Sequence, residues 1–282
     1  INNADTAHDG IITLAGIGNS AAGATTTNIG NSSTAALNLA GTFFTGGDTT
    51  YESKAGEFIE ITNTTTIKTG PSAGHDITFQ TGKIDIANTK NLTINSGSGD
   101  LTLVDIHGDG TTDTTDLDID GAAVSVGNIG LSTAKDEING INITGTTVTL
   151  NGAIYTAGTD NTVDITGAVT LATGDILIDT ITSDGAVTIT GAVTGAQNLD
   201  ILSGTALTTI TGNIGGGGTP LTSLDINNVD TSGDTGGVTL GGNIGVGVVS
   251  GTTPGAGVVR LGNAYTTSAI TLSGTVYNTS DA

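Results

Sequence analysis

The sequence predicts an all-β protein built as a right-handed parallel β-helix (a β-solenoid) with coils of about 22 residues. Three observations lead to this prediction: helix signals are scarce, short alternating strands fill the chain, and the strands recur at a regular interval. Gly, Thr, Asn and β-branched residues dominate, whereas helix-forming residues do not line up at helical spacing over two full turns. Only residues 132–137 show a short helical pattern.

The predicted strands are short segments in which aliphatic and polar residues alternate. Each is three to five residues long and is closed by Gly, Asn, Asp or Ser, which is typical of half-buried strands. We therefore expect each strand to offer one apolar face to a core. Clear examples begin at Ile84, Leu92, Leu101, Val124, Ile141, Val148, Val187 and Ile270.

An Ile-Thr-Gly element makes the repeat visible. It recurs at Ile143, Ile165, Ile189 and Ile210, in steps of 22, 24 and 21 residues. Related Leu-Gly elements follow later in the chain, at Leu240 and Leu261. A period of this length is typical of a solenoid, in which no single unit can bury its own apolar face. We therefore expect the four isoleucines to stack as a column in the core.

The expected architecture follows from the coil length. A coil of about 22 residues holds three short strands and three turns, and stacked coils lie about 4.8 Å apart. Parallel crossovers are nearly always right-handed, which predicts the handedness. An antiparallel β-sandwich of the adhesin or pilin kind is the alternative, because it uses the same short strands. The lack of Asn-Gly hairpin signals at a fixed offset favours the β-helix.

Composition divides the chain into an irregular N-terminal β region or cap, residues 1–75, and β-solenoid repeats, residues 76–282, within one continuous elongated domain. Residues 42–58 hold half of the eight aromatic side chains. We expect a cap there, because a solenoid must close its open end. A sugar-binding aromatic platform is the alternative. The aromatic residues concerned are Phe43, Phe44, Tyr51 and Phe58.

The composition argues against several classes of function. Six Lys and Arg residues against 27 Asp and Glu residues give a net charge of −21, so nucleic acid is not an expected partner. No apolar run approaches the roughly 18 residues of a membrane helix, and membrane insertion is not expected. The absence of Cys excludes disulfides, thiolate metal sites and thiol nucleophiles. Cations and further copies of the chain are the expected partners, and the poverty in Lys favours an extracellular or cell-surface location.

The segment from Asp105 to Asp116 has the spacing of a calcium loop. Oxygen-bearing residues stand at positions 1, 5, 7, 9 and 12 of twelve, with Gly110 at position 6 for a sharp turn. The segment resembles the calcium loop of dockerin modules, although His107 replaces the usual Asp or Asn and a strand pattern follows where a helix would begin. Solvated turn aspartates are the alternative. The predicted Ca²⁺ ligands are Asp105, Asp109, Thr111 through its carbonyl, Asp113 and Asp116.

A second acidic row follows directly after this loop. On a strand, Asp116, Asp118 and Asp120 share one face, while Leu117 and Ile119 point to the core. We expect a hydrated outer face, which is the usual environment of such carboxylates.

No catalytic residue is predicted, and the protein is not expected to be an enzyme. The three histidines are widely spaced, and no His-Glu-x-x-His motif occurs. A cleft lined by several carboxylates together with Arg260, the only arginine, would indicate a polysaccharide-degrading β-helix protein. An exposed row of tyrosines would indicate a carbohydrate-binding protein. The tyrosines of that row would be Tyr51, Tyr155, Tyr265 and Tyr277.

The repeats within residues 84–278 resemble those of the β-strand-repeat large exoproteins of prokaryotes. The matching sequence segments include Asp-Ile-Thr-Gly-Ala-Val-Thr and Val-Thr-Leu-Gly-Gly-Asn-Ile. The family includes filamentous-haemagglutinin-like adhesins and repetitive surface-layer or fibre proteins. The resemblance implies a structural or adhesive role at the cell surface, with surface glycans as further candidate partners.

The last residues predict self-assembly. Residues 258–282 keep the strand pattern without Lys, Pro or a helical segment, the features that usually protect a sheet edge. We expect a head-to-tail or lateral homopolymer, such as a fibre, sheath or layer, in which the strand at residues 11–14 is one candidate contact. The carboxylates oppose association, so divalent ions or salt should promote it.

Overall fold

The computed structural model describes residues 1, 10–18, 26–70, 74–109, 115–130, 138–156, 162–216, 219–228, 235–245, 256–266 and 268–279. These residues form β-strands, turns and a short 3₁₀-helix at Ile181–Ser183. The predicted helical pattern at residues 132–137 lies outside the described ranges. Within these ranges, the structure contains no helix with the length and apolarity needed to cross a membrane.

The chain separates into two compact units, Ile1–Thr146 and Thr147–Ala282. The first unit contains β1 (Ile11–Ile17), β2 (Thr27–Gly30), β3 (Ala36–Thr45), β4 (Thr49–Glu52), β5 (Phe58–Thr69), β6 (Ile77–Gln80), β7 (Lys83–Ala87), β8 (Leu92–Asn95), β9 (Leu101–Leu103), β10 (Ile106–Asp109), β11 (Asp116–Val126) and the start of β12 (Gly140–Leu150). The second unit contains β13 (Ile154–Tyr155), β14 (Val163–Leu171), β15 (Ile176–Asp179), β16 (Val187–Thr190), β17 (Val193–Thr194), β18 (Asn198–Leu202), β19 (Thr208–Ile210), β20 (Leu221–Ile226), β21 (Val238–Leu240), β22 (Ala256–Leu261) and β23 (Ile270–Leu272).

Strands pair in parallel with their counterparts in the neighbouring coil. In the first unit β3 pairs with β1 and β5, and β5 pairs with β7 and β8. In the second unit β16 joins β14 to β19, and β18 joins β15 to β20. Partners lie about 24 residues apart in the sequence. This arrangement confirms the β-solenoid and shows that the antiparallel sandwich is wrong, while the handedness of the coils stays a prediction.

The predicted isoleucine column is present in the second unit, where Ile165 pairs with Ile189 and Ile189 with Ile210. The column continues in register into β21 and β23. These three side chains are almost completely buried, and Ile143 is likewise buried within the first unit. Aliphatic residues at alternate strand positions therefore supply the core, as the repeat predicts.

A glycine column follows the aliphatic column and explains the repeated Ile-Thr-Gly element. A Cβ atom on Gly212 would overlap the backbone carbonyl of Gly191, and one on Gly191 would overlap the carbonyl of Gly167. The same overlap would arise between Gly242 and Gly212 and between Gly274 and Gly242. The coils approach too closely here for any side chain, so Gly is required for a steric reason.

Two of the four aromatic residues in the segment 42–58, Phe43 and Tyr51, belong to the core, whereas Phe58 is 36% exposed. Tyr51 stacks on Phe79 with ring centroids 4.7 Å apart and meets Phe43 edge to face at 6.3 Å. All three side chains are buried. Strands β1–β5, within the segment predicted as an irregular region or cap, join β6–β8 in the same parallel arrangement. The burial of Tyr51 removes it from any exposed row of tyrosines.

The buried phenol of Tyr51 leads to a testable prediction about the stability of the fold. Its hydroxyl is fully buried and has no hydrogen-bond partner among the described residues. Leaving a hydroxyl unsatisfied costs about 1–3 kcal/mol, so we expect Tyr51→Phe to stabilise the fold by about 1 kcal/mol in urea denaturation. Tyr265→Phe, at an exposed tyrosine, is the matched control and should have no effect.

The pH dependence of unfolding provides a second readout of the same site. Burial raises the pKa of Tyr51 above its ordinary value of 10.0. Above that pH the unfolded chain ionises this phenol while the folded chain keeps it protonated, so the free energy of unfolding falls as pH rises. Tyr51→Phe should reduce this alkaline loss. An unchanged pH slope together with a less stable variant would contradict the assignment.

Candidate functional site

Residues 106–109 of the predicted calcium loop form β10, its last residue opens β11, and the structure describes these two ends of the loop. Asp105 directly precedes β10 and Asp116 opens β11. Thr111 and Asp113 lie outside the described residues, and Asp109 is described only through its backbone in β10. Of the predicted ligands, only Asp105 and Asp116 can therefore be compared with their surroundings.

Both of these carboxylates are held by asparagines of neighbouring coils. Asp105 Oδ1 accepts hydrogen bonds from the backbone N–H of Asn128 at 2.9 Å and from its Nδ2 at 3.1 Å. Asp116 accepts from Nδ2 of Asn91 at 3.3 Å and from Nδ2 of Asn139 at 3.2 Å. Among the described residues, no group of three or more His, Asp or Glu side chains is placed to hold a metal ion. The calcium site stays a prediction.

The second acidic row has the geometry expected from its alternation. Leu117 and Ile119 are buried, while Asp116 and Asp118 are exposed on the opposite face. Asn142 Nδ2 donates to Asp118 at 2.9 Å, and Asn95 Nδ2 donates to Asp120 at 2.8 Å; these contacts join adjacent coils. Amide groups therefore satisfy part of this row without a bound cation. The sequence signal for these bonds is an Asn standing one coil away from each Asp.

Another set of stacked aspartates binds the backbone of adjacent coils. The N–H of Asp76 donates to the carboxylate of Asp48 at 3.1 Å, and the N–H of Asp100 donates to that of Asp76 at 2.9 Å. The N–H of Ala123 continues the series by donating to Asp100 at 3.1 Å. Like charges thus recur at coil spacing along one side of the first unit, and their mutual repulsion is sensitive to salt.

A cavity of about 320 Å³ lies on the outer face of the sheet formed by β13, β15, β18, β20 and β22 in the second unit. Strand register aligns four outward residues, one from each of the last four strands of this sheet. They are, in order, Leu177, Asp200, Asp225 and Arg260. The cavity is lined by Leu177, Asp200, Leu202, Asp225 and Asn228.

The two carboxylates of the cavity have different surroundings. Nη1 of Arg260 donates to both oxygens of Asp225, at 3.0 and 3.2 Å, and Asn228 Nδ2 lies 3.5 Å from Oδ1. Asp200 accepts no side-chain hydrogen bond from the described residues. Partial burial raises the pKa of Asp200, the negative charges of Asp225 and Asp175 raise it further, and Arg260 lowers it. One carboxylate is therefore neutralised and the other is not.

This cavity was not predicted from the sequence. Two carboxylates and Arg260 do meet, as the criterion for a polysaccharide-degrading protein requires, but Arg260 is engaged by Asp225 and does not itself line the cavity. The usable signal was the alternation within β18 and β20, which turns Asp200 and Asp225 outward. Which residue of one coil faces which residue of the next depends on loop lengths that the repeat pattern does not fix.

The terminal strands of the two units leave apolar side chains exposed. In the second unit β23 pairs with β21, and no other described strand pairs with it. Ile270 and Leu272 stand in register with the buried Val238 and Leu240, yet they are 43% and 48% exposed. In the first unit β1 pairs with β3 among the described strands, and Ile11 is 68% exposed. We call the outer sides of β1 and β23 the open edges.

The chain matches no family model, no curated protein and no solved structure.

Proposed function

We propose that the chain is an extracellular structural or adhesive surface protein that assembles with further copies of itself into a fibre, sheath or layer. The observation that supports this proposal best is the pair of open edges. On β23, Ile270 and Leu272 extend a core column whose next position is empty among the described residues. A strand from another copy would satisfy the backbone groups of the edge and cover these side chains together. The proposal includes no enzymatic activity.

The contact proposed between copies is head-to-tail. The open edge of β1 presents its alternate residues Ile12 and Leu14 in register with the buried Leu37 and Leu39. This edge has the same parallel strand geometry and aliphatic content as β23. A contact between unlike edges leaves one edge of each kind free at the ends of an assembly, so it generates an extended polymer wherever the rotation between copies does not close into a ring.

We propose that cations promote this assembly, because they reduce the repulsion between negatively charged copies. A net charge of −21 opposes the approach of two copies, and the Asp48, Asp76 and Asp100 series concentrates part of this charge along one side of a unit. At 0.1 M ionic strength, salt largely screens the repulsion between exposed charges that lie more than about 10 Å apart. We propose in addition that Ca²⁺ binds at Asp105, Asp109, Thr111, Asp113 and Asp116 and stabilises the fold.

Light scattering during separate NaCl and CaCl₂ titrations at matched ionic strength tests this proposal. We expect scattering to rise with either salt, and to rise at lower ionic strength with CaCl₂. A cation that binds only the folded state also raises the melting temperature, and a chelator should reverse that increase. Asp105→Asn together with Asp116→Asn should remove the calcium-specific part. A chain that remains monomeric at high protein concentration under all these conditions would contradict self-assembly, and a melting temperature insensitive to chelator would contradict the calcium site alone.

A further inference from the structure

The outer cavity of the second unit has apolar side chains at strand positions where this solenoid usually carries polar ones. Outward positions of this solenoid are mostly Thr, Asn and Asp, but Leu177 and Leu202 stand at outward positions of β15 and β18. Their side chains are partly exposed, next to the carboxylates of Asp200 and Asp225. A cavity of about 320 Å³ is within the usual size range of small-ligand sites. Its lining combines aliphatic contact area with charge.

The open acceptor in this cavity is Asp200. Both carboxylate oxygens of Asp225 already accept hydrogen bonds from Arg260, and Asn228 lies close by. Asp200, in contrast, accepts no side-chain hydrogen bond from the described residues. A ligand in the cavity would therefore find its strongest polar partner at Asp200. Hydrogen bonds to an ionised carboxylate are about twice as strong as neutral ones.

The sign of the local charge selects a cation. Asp175 and Asp225 both act on Asp200 with negative charge, and the positive charge of Arg260 sits two strands away along the sheet and is engaged by Asp225. The same surroundings raise the pKa of Asp200, which is the effect that a bound cation would relieve. A neutral ligand gains nothing from this potential, and an anion is repelled by it.

We infer that this cavity binds a primary alkylammonium group, with the charged nitrogen on Asp200 and the alkyl stem between Leu177 and Leu202. A lysine side chain of a partner protein and a free aliphatic amine share this chemistry. A bare metal ion fits less well, because no three acidic or imidazole side chains converge among the described residues. The inference is independent of self-assembly.

The test is a titration of the whole chain with n-butylammonium chloride, followed through the backbone amide signals of Leu177, Asp200 and Leu202 by NMR. Ammonium chloride supplies the charge without the stem, and n-butanol supplies the stem without the charge. We expect saturable shifts with n-butylammonium, and at least about tenfold weaker binding of either control, since both recognition elements are needed. N-acetyl-lysine amide and spermidine, titrated separately, identify the source of the amine by which of them binds more tightly.

Matched variants connect this binding to Asp200. Asp200→Asn should weaken n-butylammonium binding by at least about tenfold, because it removes the charge and keeps the shape. Asp164→Asn removes one negative charge from an outward position of another sheet in the same unit and should leave binding unchanged. Equal weakening by both variants would show a general charge effect and overturn the site. Shifts that do not saturate, or tighter binding of a neutral saccharide such as methyl glucoside, would overturn it as well.

Discussion

Replacing Gly212 with Ala should destabilise the second unit by about 3 kcal/mol or more, although it adds a single methyl group. That methyl would overlap the backbone carbonyl of Gly191 and approach the amide of Ala192 in the preceding coil. Neither neighbour is a flexible side chain that could turn aside. Relief requires the two coils to separate, which would weaken the parallel hydrogen bonds and the burial of Ile189 and Ile210 together. Urea denaturation, followed by far-ultraviolet circular dichroism as a measure of strand content, gives the change in the free energy of unfolding.

Gly216→Ala is the matched control for this prediction. Gly216 lies four residues further along the chain, and a Cβ atom there would have no neighbour within 4 Å. Both substitutions restrict the unfolded chain in the same way, so the difference between the two variants isolates the steric conflict between coils. We expect Gly216→Ala to have the stability of the parent chain within about 0.5 kcal/mol. Equal stability of the two variants would show that the coils do not stack through Gly212.

The double substitution Ile270→Lys and Leu272→Lys should suppress self-assembly without unfolding the chain. Both side chains belong to the open edge of β23 and are already about half exposed. In the proposed polymer they become buried, and burying an aliphatic side chain contributes about 1.5–3 kcal/mol. The protein concentration needed for assembly should therefore rise at least tenfold, roughly 1.4 kcal/mol per factor of ten, and the cost of burying two ammonium groups in the contact adds to this. Light scattering against protein concentration, at a fixed assembling salt concentration, measures that threshold.

Leu207→Lys is the matched control for exposure. Leu207 is 47% exposed, close to the values of Ile270 and Leu272, but it lies before β19, whose two neighbouring strands β16 and β21 are both in place. Its substitution also adds a positive charge to an acidic surface. We expect assembly of Leu207→Lys at a concentration near that of the parent chain. If Leu207→Lys and the double variant raised the threshold equally, general surface hydrophobicity would explain association, and the open edge would not.

The period in the sequence was sufficient to predict the architecture. Alternation places Ile165 and Ile189 inward, and the 24-residue step between them is the spacing of one coil, so a parallel stack is the arrangement that buries both. The Gly of Ile-Thr-Gly was visible as part of the repeat, but its steric role required the distance between coils. The packing of Tyr51 against Phe43 and Phe79 could not be predicted, because a Tyr with a buried and unsatisfied hydroxyl is uncommon in a core.

The cavity could not be predicted because its residues are brought together by register. Asp200 and Asp225 stand 25 residues apart, whereas Asp225 and Arg260 stand 35 residues apart, owing to a longer connection between β20 and β22. A fixed repeat length would have placed Arg260 opposite another residue. The asparagines that hold Asp105 and Asp116 were missed for a related reason, since local motif spacing does not reveal partners one coil away.

Electron microscopy of the purified chain, before and after addition of CaCl₂ and NaCl, tests the central claim of self-assembly most directly. We expect dispersed particles at low ionic strength and regular filaments or lattices after the cations are added, because screening then allows one open edge to meet another. The Ile270→Lys and Leu272→Lys double variant, imaged separately in the same buffers, should remain dispersed. Dispersed single particles of the parent chain at high concentration in every buffer would contradict the claim.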